Sequence, residues 1–356
     1  YDLDFYADAR DAFRRFVELK PDGGPSWVFL GFCEYRLKEY RLALQHIQRG
    51  LQSGAGSNPD MARVARYHLG VLLTRFGEFE KGWTHLESLA KIADDDAEVT
   101  EAIGINVLRL PLLPHEIAPD RREAVLLAGR AAYAQAAQRP ESATLRYQEL
   151  LARYDDLPHV HYAYGCFLLN ADSSAAIEEF KRELKISPAS IEARLQLAYE
   201  YLKRGEFEQA LPYAEEAVRM APKLFTARNA YGRALFEKGE TAEAIQQLEA
   251  GVALEPGSPP LRFMLARAYS RAGRAEDAKR QNEVFQEMEE IRVATESAES
   301  QARLAPQDPE AHRALADAYR KGRREDDAKR ELIVAQQLEQ AAAHAQPTPT
   351  PSPEVR

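Results

Sequence analysis

Apolar and small residues along this chain recur at helical spacing, and the pattern itself recurs. Leu197, Ala198 and Tyr201 stand at i, i+1 and i+4, one face of an α-helix. Gly205 follows, a residue that accepts the left-handed backbone of a helix end. Ala210, Ala214 and Ala217 then mark the inner face of a second helix, and Pro222 stops it. Pro188, Pro222 and Pro256 are each 34 residues apart. Within those periods Ala198, Gly232 and Ala266 are small, as are Ala210, Ala244 and Ala278, and Tyr201, Leu235 and Tyr269 are large. The pattern predicts a series of helical hairpins. Two helices reach the near end of the interaxial range, about 8–10 Å, only across small residues, and Ala198 against Ala210 is the expected contact.

This 34-residue helix–turn–helix period resembles the tetratricopeptide repeat family, in its bacterial form. The resemblance covers about 158–290 and also 24–57, where "WVFLGFCEYRLKEYRLALQHIQRG" carries Trp27, Leu30, Gly31, Tyr40 and Ala43. It extends to 62–93 through Leu69, Gly70, Gly77 and Gly82, and to 308–342 through Leu315, Ala316, Tyr319 and Ala328. It implies an all-α fold, a right-handed superhelical α-solenoid of hairpins. Two departures stand out. The early aromatic of the unit survives only as Trp27, with Arg66, Arg194, Arg228 and Arg262 elsewhere, whose stems can cover apolar surface. Pro212 lies inside a second helix and should bend it.

The irregular stretches divide the chain. Residues 1–93 read as N-terminal units that begin in mid-repeat: 4–21 is a lone second helix with Ala9, Phe13 and Phe16 inward, its partner expected upstream. Residues 94–157 break the period as a helical insertion and a degenerate hairpin. There "DDD" at 94–96 offers a helix cap, 97–109 one helix, and "LPLLPHEIAP" a non-helical link before helices over 120–138 and 141–154. The insertion either packs its leucines on its neighbours or serves as a docking element. Residues 158–290 hold the regular units, 291–342 an extended helix and a terminal hairpin, and 343–356 a disordered Pro/Thr-rich tail. The period on both sides of 94–157 predicts one continuous array.

Composition narrows the function classes. The chain has 356 residues, 45% hydrophobic and 29% charged, with a formal charge of −9. That sign argues against nucleic acid as a partner. No apolar run is long enough to span a membrane. Cys33 and Cys166 fit buried free thiols. No phosphate loop, G-x-S-x-G or H-E-x-x-H motif is present, so an enzyme is not expected, nor a cofactor. His159 and His161, two apart at a helix start, point about 200° apart and do not suit one metal. Compartment, cytoplasmic or exported, and oligomeric state are left open by the sequence.

The resemblance implies a concave wall built from the first helix of each hairpin. Carried onto this chain, the wall positions give Phe32, Tyr35 and Arg36, then Tyr67 and Arg75, then Tyr162, then Tyr199 and Lys203, then Asn229, Arg233 and Phe236, and finally Arg267 and Arg271. The N-terminal half is aromatic and the C-terminal half basic. The expected function is a non-catalytic scaffold that takes a peptide segment or partner protein, acidic in character, in this groove. The alternative is a structural or assembly subunit that contacts partners through its convex face, insertion or tail.

Overall fold

The computed structural model describes residues 3–21, 23–92 and 96–345, and among these the regular elements are eighteen α-helices and two short 3-10 turns, with no strand. The expected all-helical hairpin architecture is what forms. The chain divides into two compact units, Tyr1–Ala278 and Lys279–Arg356.

The first unit opens with α1 (Leu3–Leu19), which packs on α2 (Gly24–Arg36). Hairpins then follow in order: α2 on α3 (Tyr40–Gln52), α4 (Pro59–Arg75) on α5 (Phe79–Ala90), and α6 (Ala97–Val107) on α7 (Pro119–Ala136). Next come α7 on α8 (Pro140–Tyr154), α9 (Val160–Leu168) on α10 (Ser173–Ile186), α11 (Ile191–Arg204) on α12 (Phe207–Met220), and α13 (Phe225–Lys238) on α14 (Thr241–Leu254). α15 (Pro259–Arg271) packs on α14, and α16 (Ala275–Leu304) starts in this unit. The second unit holds the rest of α16 with α17 (Pro309–Lys321) on α18 (Glu325–Ala345), around Ala298, Ala302, Leu315, Ala316, Tyr319 and Ala328.

Each hairpin closes where one partner has almost no side chain. A Cβ added at Gly31 would stand 2.6 Å from Ile47, at Gly70 2.6 Å from Leu86, at Gly165 2.6 Å from Phe180, and at Gly232 2.7 Å from Leu248. One period before Gly232 and Leu248 lie Ala198 and Ala214, which share a buried cluster. Ala198 therefore meets Ala214 rather than Ala210, which groups with Leu197 and Tyr201. α6 and α7 approach more closely still: a Cβ on Gly104 would fall 1.9 Å from the Val125 carbonyl oxygen, and one on Gly129 2.1 Å from that of Thr100.

The Arg positions that replace the early aromatic act as donors. Trp27 Nε1 donates to the Pro21 carbonyl at 2.8 Å, Arg228 Nε to Pro222 at 3.1 Å and Arg262 Nε to Pro256 at 3.3 Å, each six residues back. His161 and His312 reach Asp155 and Pro306 in the same way, at 2.9 and 3.2 Å. Any side chain that carries an N–H at this reach ties its helix to the preceding turn. Arg194 differs, bonding Ser190 and Glu216.

The insertion is helical where the spacing said, and Asp96 caps α6 by accepting from the amides of Glu98 and Val99. Asp94, Asp95 and the Pro/Thr-rich tail from residue 346 lie outside the described residues. Pro212 sits inside α12, which runs through it. On α1 the inward face is corrected: Phe16 is 43% exposed and Val17 is buried, because Ala9, Phe13 and Val17 share the i, i+4 stripe against α2. Phe13 stacks on Phe29 with centroids 5.5 Å apart. The end of α16 stands in for a second helix before α17. Tyr319 donates to Glu299 and lies under Arg324, which also pairs with Asp327, just as Tyr269 donates to Glu249 beneath Arg274, paired with Asp277.

Hairpin turns need a left-handed residue. Gly77, Gly205, Gly239 and Gly273 supply it, but Lys38, Gln138 and Arg323 are held at φ 63, 57 and 57. A side chain there costs about 1–2 kcal/mol that glycine does not. Lys38→Gly should therefore raise the denaturant midpoint, a gain of about 1 kcal/mol after glycine's greater unfolded-state freedom is subtracted. Gly104→Ala should lower it by about 1–3 kcal/mol or more, since the clash is with backbone. Loss of stability in the first variant, or none in the second, would contradict this packing.

Candidate functional site

α11 touches α13, and α13 touches α15, so these three first helices are neighbours. The sequence-derived candidates form four local groups.

The first group is aromatic. Phe32, Tyr35 and Tyr67 all pack on His68, with ring centroids 4.7, 4.9 and 5.5 Å away. His68 was not among the candidates, yet it is the centre of the cluster. Burial lowers its pKa against the opposing pull of its Nδ1 contact to the Val64 carbonyl, 2.9 Å away. Burial also pushes the Tyr35 hydroxyl up to about 12 and that of Tyr67 higher. Arg36 lies over the Tyr6 ring at 5.2 Å. Arg75 is committed elsewhere: it donates to the Pro111 carbonyl at 2.8 Å and pairs with Glu116 at 3.2 Å, fastening the proline-rich link.

The second group surrounds Tyr162. Glu183, fully buried, accepts from the amides of His159 and Tyr162 and so holds the start of α9. Beside Tyr162 opens a cavity of ≈ 230 Å³ walled by Phe79, Trp83, Val107, Tyr147, Ala163 and Cys166. Its polar groups are largely satisfied from within. Asn106 donates to Thr74 and Phe79, and Tyr147 donates to Gln135. Burial raises the Cys166 thiol to about 12, so it is no nucleophile at neutral pH. Arg109 closes one side, 12% exposed, with its guanidinium over Phe79 at 4.6 Å and Tyr162 at 5.7 Å. It pairs with Glu80 at 2.9 Å and Glu192 at 2.8 Å, drawing the α5 and α11 hairpins onto the insertion. Nothing in the sequence marks Arg109, since those partners lie 29 and 83 residues away.

The third group joins Tyr199, Asn229 and Arg233. The Tyr199 hydroxyl donates to the Thr226 carbonyl at 2.9 Å and also meets the Asn229 side chain, with Arg233 near enough to act on it. Asn229 Oδ1 is buried with no hydrogen-bond partner. Arg233 has no ion pair among the described residues. Lys203 stands 3.8 Å from Glu200. In the fourth group Phe236 is 2% exposed, roofed by Arg271 at 3.5 Å and Arg267 at 4.8 Å. Arg271 donates to the Phe236 carbonyl and Arg267 pairs with Glu237 at 3.7 Å. Phe236 thus supports the arginines from below.

His159 and His161 have separate structural roles. His161 Nδ1 meets Glu179 at 2.5 Å, while His159 caps through its backbone. Among the described residues no cluster of three His, Cys, Asp or Glu side chains is placed to hold a metal, and no helix is long and apolar enough to cross a membrane.

A tetratricopeptide repeat family model matches residues 1–58 and 195–259. No curated protein matches. Among solved structures, MamA 41-end from Desulfovibrio magneticus RS-1 is 23% identical over 47% of this chain and 96% of that one, with a TM-score of 0.44. YrrB, described as a TPR protein with an unusual peptide-binding site, is 20% identical over 44% of this chain and 82% of that one, with a TM-score of 0.41.

The His161 pair makes stability depend on pH. Burial lowers the His161 pKa, but the hydrogen bond and charge of Glu179, with the Asp155 carbonyl and carboxylate, raise it more, so it stands above its usual value. A raised histidine stabilises the fold below its unfolded pKa, about 6.5, and that contribution is lost as pH rises through the folded value. Unfolding followed across this range should show stability falling with rising pH, and His161→Asn should flatten the slope. An unchanged slope in the variant would remove this role. With hairpin after hairpin on the page, the two stretches on which the family model is seated, 1–58 and 195–259, are tetratricopeptide repeats.

Proposed function

We propose that this chain is a non-catalytic scaffold that binds an extended, acidic, partly apolar segment of a partner along the first-helix wall. Tetratricopeptide repeats generally mediate protein–protein contact, which makes a binding role the starting point. The observation that carries the finer reading is Asn229. A buried acceptor without a partner costs about 1–3 kcal/mol. We assign it a backbone amide of the ligand, met when the Asn229 side chain turns outward between Tyr199 and Arg233. Arg233 beside it has no ion pair among the described residues, so an acidic ligand side chain has a partner there.

The rest of the wall supports a graded contact. Arg267 is partly neutralised by Glu237 and Arg271 is anchored on Phe236, so the basic strip is weaker than a count of its charges implies. Exposed ion pairs contribute only about 0.2–1 kcal/mol each. Affinity must then come also from apolar anchors, and the cavity beside Tyr162 is roomy enough for one. A site of about 150 Å³ already holds a benzene ring, and this one measures ≈ 230 Å³.

The double variant Arg233→Glu, Arg267→Glu should lose salt-sensitive binding while its melting midpoint stays close to the parent's. A photo-crosslinking side chain at Lys203, on the wall, should capture a partner from cells, and one at Glu215, on α12, should not. Equal capture at both positions, or a captured partner that binds the double variant unchanged, would shift the contact to another face.

A further inference from the structure

One side chain that lines the cavity beside Tyr162 has an acceptor the fold leaves unused. Asn106, on α6, is only 3% exposed. Its Nδ2 donates to the Thr74 hydroxyl at 2.8 Å and to the Phe79 carbonyl at 2.9 Å. These two partners fix which way the amide faces. Thr74 spends its own hydrogen on the Gly70 carbonyl at 2.8 Å, so toward Asn106 its oxygen accepts, and a carbonyl never donates. Both amide hydrogens of Asn106 are therefore committed, and Oδ1 has no hydrogen-bond partner among the described residues. Nor is that oxygen sealed in by its neighbours, so a ligand atom can reach it from the cavity.

The walls select what carries the donor. Phe79, Trp83, Tyr147 and Tyr162 place four aromatic side chains around the space. Offset or edge-on contact between rings is favourable beyond the area it buries. The volume, ≈ 230 Å³, exceeds the about 150 Å³ that holds a benzene ring. A cation is disfavoured, because the Arg109 guanidinium already lies over Phe79 and Tyr162. An anion is disfavoured too, because Arg109 is paired with Glu80 and Glu192, and Glu80 itself lines the cavity. A neutral, flat group with one N–H or O–H meets these conditions best. We propose that this cavity is a specificity pocket for an aromatic ring that carries a hydrogen-bond donor, the side chain of a tyrosine or tryptophan, which donates to Asn106 Oδ1. Glu80, 71% exposed, stands at the open side, and Asn106 at the buried one. The ring comes from the segment that the scaffold reading places on the wall, and its source rests on that reading.

The chain has two tryptophans. Trp83 lines the cavity, and Trp27 packs with Val17 and Leu30. The whole chain labelled with 5-fluorotryptophan gives two fluorine resonances, assigned with Trp83→Phe. The probes are p-cresol, 4-methylanisole (the same ring with its hydroxyl blocked), N-acetyltyrosinamide and N-acetyltryptophanamide. Titration with p-cresol and both amides should move the Trp83 resonance saturably and leave Trp27 in place. p-Cresol should bind about tenfold tighter than 4-methylanisole or more, as expected where a buried acceptor gains or lacks its donor. In Asn106→Leu that preference should vanish. The comparison of the two probes on the parent chain decides the matter even where this variant melts early. Arg233→Glu, Arg267→Glu should bind p-cresol as the parent does. No capture at Lys203 with p-cresol binding intact would count against the scaffold reading, and no p-cresol binding with capture intact against this pocket alone. Equal binding of p-cresol and 4-methylanisole, a shift of Trp27 in place of Trp83, or p-cresol binding with neither amide bound would overturn the proposal.

Discussion

Everything in this molecule depends on how closely the two helices of a hairpin can approach. Gly31, Gly70, Gly165 and Gly232 each leave space that a larger residue of the second helix fills, namely Ile47, Leu86, Phe180 and Leu248. Only where a side chain is missing can two helix backbones come near enough to bury a continuous apolar seam, and a hairpin alone buries little. Neighbouring hairpins supply the rest of the burial. The close fit of each pair sets the spacing of the first helices, and that spacing brings Tyr199, Asn229 and Arg233 from two helices into one group.

A second constraint acts between hairpins. In five of the first helices an early side chain reaches the carbonyl six residues back, namely Trp27, His161, Arg228, Arg262 and His312. The residue type changes and the bond stays. An aromatic indole and a guanidinium look unrelated in a sequence, yet each brings an N–H on a long, flat body. Arg228 and Arg262 therefore serve in place of the missing aromatic, a role beyond the expected cover of apolar surface by their stems.

Much of the fold was legible because local signals carried it. Period, small residues, capping Asp96 and stopping prolines all act within a few residues of themselves. The pairing of Ala198 with Ala214 rather than Ala210 was missed because both alanines lie on the inner face, and only the crossing of the two helices decides between them. Phe16 was misplaced in favour of Val17 for a similar reason: one residue is about 100° of rotation, and an aromatic is a tempting core residue. The candidate site was less legible. The positions carried over from the repeat lie within first helices, but their availability did not follow. Arg75 is spent on Pro111 and Glu116, and Phe236 lies beneath two arginines. His68 and Arg109 depend on contacts that no window of sequence contains.

The central claim is that the wall around Asn229 recognises an acidic segment with an apolar anchor. Its most direct test is selection of a randomised peptide library on the purified chain, read by sequencing the retained peptides. The account predicts enrichment of Asp and Glu together with a bulky apolar residue at fixed spacing, and loss of that enrichment when the selection is repeated on Asn229→Leu. Retained peptides with no acidic or apolar preference, or the same motif on both proteins, would contradict it.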